Sequence, residues 1–314
     1  MTLNTNSPTH GNIDANETTV LIAGATGWLG GKIAREVAAT GSRTRIGLRR
    51  GTAHPDATTL KTTLGADIVE LDLTNPETLP GAVDGVDVVI SAIQGGPELL
   101  IDGQAALARA AYEAGVRRIF PSDFGVDFTQ IPEKDHLFFA WRSQGQEAIA
   151  ATGLAQTNTY NGAFAEMLLP NPFLNFVDWD KATVNFWGSP DQVYDFTATD
   201  DVARYVAAAA NDRDLAGGPL RVAGFSHSAA TLAEIASQVT GKDFTAQQLG
   251  TTEELIDTIE TRQNEAPDDP TTWVGLQYLR SMATGAGRLH DLDNGRYPHI
   301  IPIGAQDFLT QHHP

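Results

Sequence analysis

Apolar positions along the chain fall into short, near-continuous runs separated by stretches of helical spacing, and the first run is Thr19-Val20-Leu21-Ile22-Ala23. A run apolar at successive positions predicts a strand buried on both faces, as in a parallel sheet. Gly24, Gly27 and Gly30 follow at three-residue intervals, with a helical pattern over residues 28–40. Later runs predict strands at 44–48, 66–71, 86–90 and 118–120. Turn chemistry marks the breaks, first at Gly41-Ser42 and again at Asp72-Leu73-Thr74-Asn75-Pro76. Leu99, Leu100, Ala105, Leu107, Ala108, Ala111 and Ala114 recur near helical spacing, and Gly115 ends that helix. Strand and helix in strict alternation predict an α/β fold, a doubly wound parallel sheet of Rossmann type. Its ligands sit at the carboxyl ends of the strands.

The first strand-to-helix turn is built for an anion. Gly24 lets the chain leave the strand with unrestricted φ, Gly27 leaves room for a pyrophosphate against backbone N–H groups, and Gly30 lets the helix pack closely. The helix start then points its free N–H groups and positive dipole end at the phosphate. The GxxGxxG spacing departs from the usual GxGxxG, so the argument rests on the flanking strand and helix. Gly24, Thr26, Gly27, Trp28, Leu29 and Gly30 are the expected contacts. The second strand ends in Leu48-Arg49-Arg50, with no carboxylate to hold the ribose of NAD. Two guanidiniums there can fork onto a 2′-phosphate, so NADP(H) is the expected cofactor; the plain alternative is a solvated basic turn. Asp72 either reaches the adenine or caps the helix beginning near residue 76. Ser91, Ile93 and Gln94 beyond the fourth strand, and Pro121, Ser122 and Asp123 beyond the fifth, belong to the same sheet edge.

Composition narrows the function classes. The chain has 314 residues, enough for two domains or one domain with an appended lobe. A net charge of −18 argues against a nucleic-acid partner, which would need a basic face. Zero cysteines exclude disulfides, thiolate metal sites and a cysteine nucleophile. Residues 1–17 are polar without Lys or Arg, so they read as a disordered tail and not a secretory signal. No apolar run approaches the roughly 18 residues of a membrane span, and a cytoplasmic protein without membrane contact is expected. No HExxH spacing occurs and His312-His313 is a chain end, so no metal is expected. None of the six tyrosines has a lysine four residues on, which rules out a Tyr-xxx-Lys catalytic pair.

GATGWLGG, LRR, VELDLTNPETL and RRIFPSDFGVD, with AIAATGLAQTNTYNGAFAEML and VYDFTATDDVARYVAAAA further on, resemble the NmrA-like atypical short-chain dehydrogenases. Within these, the likeness is to the isoflavone, phenylcoumaran benzylic ether and pinoresinol-lariciresinol reductases, and it extends over residues 18–260. The resemblance implies NADPH binding by a Rossmann domain at 18–162. A smaller α/β substrate lobe at 163–314, with 194–224 returning to the central sheet, would close over an aromatic or otherwise apolar molecule. A monomer or homodimer is expected. These reductases carry a catalytic lysine on the helix before the sixth strand, and its position falls on Arg142. A guanidinium stays charged, so it can orient or stabilise an anion but cannot shuttle a proton. Proton handling then rests on His136, Tyr160, or Ser122 with Asp123, each of which also has an ordinary structural role open to it. Asp200-Asp201 reads as an N-cap and first-turn acid.

The second half is less specific. Phe164, Phe173, Phe176, Trp179, Phe186 and Trp187 fit either pocket-lining loops or a small core. Helices are expected at 231–239, at 251–261 behind a Thr251/Glu254 capping box, and at 271–282. The reading that joins these features is an NADPH-dependent reductase of an aromatic or quinone-like molecule. A dinucleotide sensor of the NmrA kind and a redox-neutral or ether-cleaving enzyme stay open beside it.

Overall fold

The computed structural model describes residues 18–170 and 174–314, so the expectations for the 1–17 tail and for Phe173 lie outside the described residues. Strand β1 (Thr19–Ala23) buries Val20, Leu21 and Ile22 completely, on alternate faces of the sheet. The chain continues through α1 (Trp28–Ala39), β2 (Arg43–Leu48), α2 (Ala57–Leu64), β3 (Asp67–Glu70), α3 (Leu79–Val83), β4 (Val88–Ser91), α4 (Gln104–Glu113), β5 (Arg118–Phe120), α5 (Leu137–Ala150) and β6 (Ala155–Tyr160). These strands lie in the order β3-β2-β1-β4-β5-β6, every neighbouring pair parallel. The winding reverses between β1 and β4, which opens a crevice at their carboxyl ends. Ile33 and Val37 of α1 fill one face of the sheet; Val83, Leu107 and Ile149 fill the other. Each such side chain stabilises the sheet by about 1.5 to 3 kcal/mol.

The helix expected from residue 99 is preceded by a wide π-type turn, Glu98–Gly103, and becomes α-helical only at Gln104. Gly145 of α5 explains the distortion, because a Cβ there would overlap the Leu100 carbonyl. The Gln104 amide donates to that same carbonyl (2.9 Å), and its oxygen accepts from the Ser122 backbone N–H (2.9 Å). The irregular turn thereby latches the loop after β5 in place.

After β6 the chain forms β7 (Ala163–Phe164), β8 (Val177–Asp178), β9 (Thr183–Trp187), β10 (Val193–Thr197), α6 (Thr199–Asn211), β11 (Gly218–Arg221), β12 (Phe225–Ser228), α7 (Ala229–Thr240), β13 (Thr245–Gly250), α8 (Thr252–Glu265), α9 (Val274–Ala283) and α10 (Ala305–His312). β11 pairs in parallel with β6 as the seventh strand of the central sheet, and α6 lies against α1. Residues 194–197 do not return with them. They pair with β12 and β7 in a separate three-stranded sheet, because Tyr194 and Phe196 bury among Phe176, Phe225 and Phe308. A third sheet, β13-β9-β8, completes this lobe.

Phe176, Trp179 and Phe186 are core residues of the lobe, Trp179 packing edge-on to Phe244. Thr251 and Glu254 exchange both hydrogen bonds of a capping box at the start of α8. Asp200 does not cap α6: the Glu166 carboxylate accepts from the Thr199 N–H (3.0 Å), while Asp200 pairs with Lys32 of α1 (2.6 Å). Asp201 is buried, accepting from the Ile303 N–H (2.8 Å) and from Arg204. Both acids sit in the first turn of α6, where the helix dipole favours them.

Candidate active site

A cavity of about 760 Å³ runs along the carboxyl ends of the strands and under the lobe. Its floor is the turn from Gly24 to Leu29 together with Ile93, Gln94 and Ser122. Gly24 has φ +85°, and a Cβ on it would overlap the Ala92 carbonyl, so only glycine closes this turn. Gly27 is the N-cap of α1 and no side chain caps it. The first N–H groups of the helix therefore have no partner within the helix. Gly30 lies beneath the turn, where a Cβ would overlap the Gly24 carbonyl; its part is packing, not contact.

One end of the cavity is polar. Arg49, His54, Asp72 and Thr74 line it. Asp72 accepts from the Thr74 N–H (2.9 Å) and hydroxyl (2.7 Å), and these bonds, with Arg49 nearby, hold its carboxyl below the usual range. Asp72 thus faces the cavity and caps no helix; the short turn at Pro76–Thr78 is capped by Asn75. Arg50 does not reach the cavity. It is exposed and begins the Gly51–Ala53 turn, so the side chains of the two arginines part where the strand ends. His54 escapes a reading of the sequence because a lone histidine in a turn carries no local signal.

Of the other expected contacts, Ser91 is fully buried in register with Ala23, and Pro121 and Asp123 sit behind the wall. The Asp123 carboxylate accepts from Gln146 (2.7 Å) and Asn158 (2.8 Å), its second oxygen has no partner, and burial pushes its pKa up. The Ser122 hydroxyl donates to the Ile93 carbonyl (2.6 Å), tying together the loops after β4 and β5.

The other end is apolar: Phe124, Gly125, Val126, Phe138, Ala163, Phe164, Met167, Leu174 and Met282, with Arg142 and Tyr278 among them. Trp28 and Phe164 meet edge to face at 5.5 Å, joining the glycine turn to the lobe. Arg142 of α5 donates from Nε to the Ser122 carbonyl (3.0 Å) and from Nη1 to the Phe138 carbonyl (3.1 Å), fixing its guanidinium in the wall.

The structure removes two proton-handling candidates. His136 is completely buried; its Nδ1 accepts from the Phe139 N–H (3.4 Å) as the N-cap of α5, and its ring stacks on Phe139 at 3.7 Å. Burial and the Arg142 charge push its pKa down to about 3, so it is neutral at physiological pH. Tyr160 is also buried, its hydroxyl accepting from Gln146 (3.1 Å) and its ring set edge-on to Phe128. Neither lines the cavity.

Tyr278 of α9 does line it, and sequence reasoning misses it. Its ring stands edge-on to His136 at 4.2 Å, and it shares the cavity wall with Arg142. Burial raises the Tyr278 pKa while the Arg142 charge opposes the rise. Phe124, Gly125 and Val126 could have been read from the PSDFGVD stretch, since they continue the loop that carries Ser122. Tyr278 could not, because α9 meets α5 only in three dimensions.

A family model described as the NmrA-like family matches residues 16–273. The chain belongs to the NmrA-like family. It is 33% identical over 199 residues to a probable pinoresinol-lariciresinol reductase of Arabidopsis thaliana, covering 62% of this chain and 63% of that one. A phenylcoumaran benzylic ether reductase of Ginkgo biloba is 32% identical over 203 residues, 62% of this chain and 65% of the relative. The match thus spans less than two thirds of these relatives' own length. The solved structure of AtPrR2 with NADP+ and (+)pinoresinol superimposes with a TM-score of 0.78 at 24% identity, covering 94% of this chain and 98% of that one. Among the described residues, no helix of this family member is long and apolar enough to cross a membrane, and no three His, Asp or Glu side chains converge as metal ligands.

Proposed function

We propose that this protein is an NADPH-dependent reductase of an apolar aromatic small molecule. The observation that carries the proposal is the continuity of one cavity from the glycine turn and Arg49 to the apolar end holding Arg142 and Tyr278. The residues fit a dinucleotide. The uncapped start of α1 and the bare Gly27 suit a pyrophosphate, and Arg49 suits a 2′-phosphate. When bound there, the reduced nicotinamide supplies a hydride. Phe124, Val126, Phe138, Phe164 and Met282 bind the flat substrate and exclude water, which strengthens the field of Arg142.

Arg49→Ala is expected to weaken NADPH binding by about 10- to 150-fold, the equivalent of roughly 1.5 to 3 kcal/mol for a charge-assisted bond. NADH binding should change little, as read by dihydronicotinamide fluorescence; equal losses for both would overturn the assignment of Arg49. The function itself is tested by incubating the protein with NADPH and a panel of aromatic ketones, enones, quinones and benzylic ethers. Cofactor oxidation with at least one member is expected. Tight NADPH binding without oxidation by any member would favour a cofactor sensor and overturn the reductase reading.

A further inference from the structure

We infer that Tyr278 is the proton donor of this site and that the substrate group it serves is a carbonyl, as in an enone, a quinone or an aromatic ketone. The inference rests on the reductase reading and adds to it the class of bond reduced.

The placement of the phenol comes first. A guanidinium has five N–H groups and no acceptor, so Arg142, held by the Ser122 and Phe138 carbonyls beside Tyr278, cannot take the phenol's proton. The Tyr278 O–H keeps that proton for an acceptor in the cavity. The His136 and Phe139 rings stand edge-on to the tyrosine ring at 4.2 and 5.3 Å, and the remaining side is the cavity that Tyr278 lines. The phenol is a donor in the cavity wall, with the fixed positive charge of Arg142 in the same wall.

The kind of groups present comes second. Arg142 and Tyr278 are the ionisable side chains lining the apolar end; Arg49, His54 and Asp72 lie at the other. His136 is sealed behind the wall and Asp123 is held by Gln146 and Asn158. The apolar end therefore holds one proton donor, one fixed cation and no base near neutral pH. It can give a proton to an oxygen that gains charge, and it cannot take one from a substrate hydroxyl. A carbonyl matches this chemistry. A bound reduced nicotinamide would supply the hydride for a new C–H bond at the carbonyl carbon, or at the far end of a conjugated system, and the π pair would move onto oxygen. The Tyr278 O–H bond breaks as the substrate O–H forms, the charge of Arg142 steadies the resulting phenolate, and water returns its proton. Substrate, NADPH and one proton give the reduced product and NADP+. Breaking a benzylic ether of a phenol by way of its phenolate would need a base at this end, and none is there.

The test compares wild type and Tyr278→Phe on a naphthoquinone, a chalcone and a phenolic benzylic ether. Wild type is expected to reduce the carbonyl compounds and leave the ether unchanged. Tyr278→Phe should lower kcat on them by about 100-fold, the usual scale for losing a general acid, with unchanged NADPH affinity and melting temperature. A solvent deuterium isotope effect on kcat should be present in wild type and absent in the variant. A general acid works only while protonated, so kcat of the wild type should fall on the alkaline side as Tyr278 ionises, and that limb should vanish in Tyr278→Phe. The charged group that bears on Tyr278 is Arg142 on α5; Arg280, two residues along its own helix, is paired with Asp135 at 2.8 Å, and His136 is uncharged in this range. Carbonyl reduction at wild-type rates by Tyr278→Phe, or ether cleavage as fast as carbonyl reduction, would overturn the inference while leaving the reductase reading intact. NADPH binding without reduction of any compound by wild type would overturn both.

Discussion

Gly27→Val is expected to abolish binding of NADPH and NADH alike while shifting the melting temperature by no more than about 3 °C, the effect of roughly 1 kcal/mol. Gly27 has φ −81°, a backbone conformation open to any residue, and the one neighbour its Cβ would meet is the Gly24 carbonyl oxygen at 3.2 Å. The fold can accept a side chain there. The cavity cannot, because Gly27 lies in its floor beside the uncapped start of α1, and valine would occupy the place of the pyrophosphate. Losing two or more charge-assisted bonds worth about 1.5 to 3 kcal/mol each corresponds to more than about 100-fold in affinity. Gly24 and Gly30 are different. Valine at either would overlap backbone carbonyls, and it should unfold the strand-to-helix junction along with the site. Cofactor titration and thermal denaturation of the three variants separate the cases; wild-type cofactor affinity in Gly27→Val would refute the loop assignment.

The central sheet is legible in the sequence because each signal in it is local. Apolar runs mark strands buried on both faces, and glycines at three-residue spacing mark the turn between β1 and α1. The start of α4 is not legible, because its irregularity is set by Gly145, which lies far along the chain and lets α5 approach the Leu100 carbonyl. The polar end of the cavity is legible in part. Arg49 and Asp72 follow their strands directly, whereas nothing local says that Arg50 points away while His54 turns in. The chemistry is the least legible. His136 and Tyr160 have the right residue types, but their apolar surroundings bury them, and burial leaves the histidine neutral. Tyr278 lies on a helix whose sequence reads as plain lobe core, and it becomes a candidate only when packed against Arg142.

Arg142→Ala is expected to lower kcat about 1000-fold on any accepted substrate, with Arg142→Lys retaining part of the rate. The guanidinium is held by its Nε and Nη1 bonds to the Ser122 and Phe138 carbonyls, so its charge is in place before the substrate arrives. Removing one preorganised donor to a developing oxyanion costs about 100- to 1000-fold. Alanine loses that donor and also the positive charge that acts on Tyr278, which places it at the upper end of the range. Lysine keeps the charge but cannot reproduce the two fixed backbone bonds, to the Ser122 and Phe138 carbonyls, from one flexible ammonium. Because Arg142 and Tyr278 act on the same oxygen, the double variant Arg142→Ala/Tyr278→Phe should be scarcely slower than Arg142→Ala alone. His136→Asn provides the control: a histidine whose pKa is pushed down to about 3 adds no limb to the pH–rate profile at neutral pH, so the profile should keep its shape. Turnover at the wild-type rate by both Arg142 variants would show that the guanidinium only braces the Ser122 loop, and would place the chemistry elsewhere in the cavity.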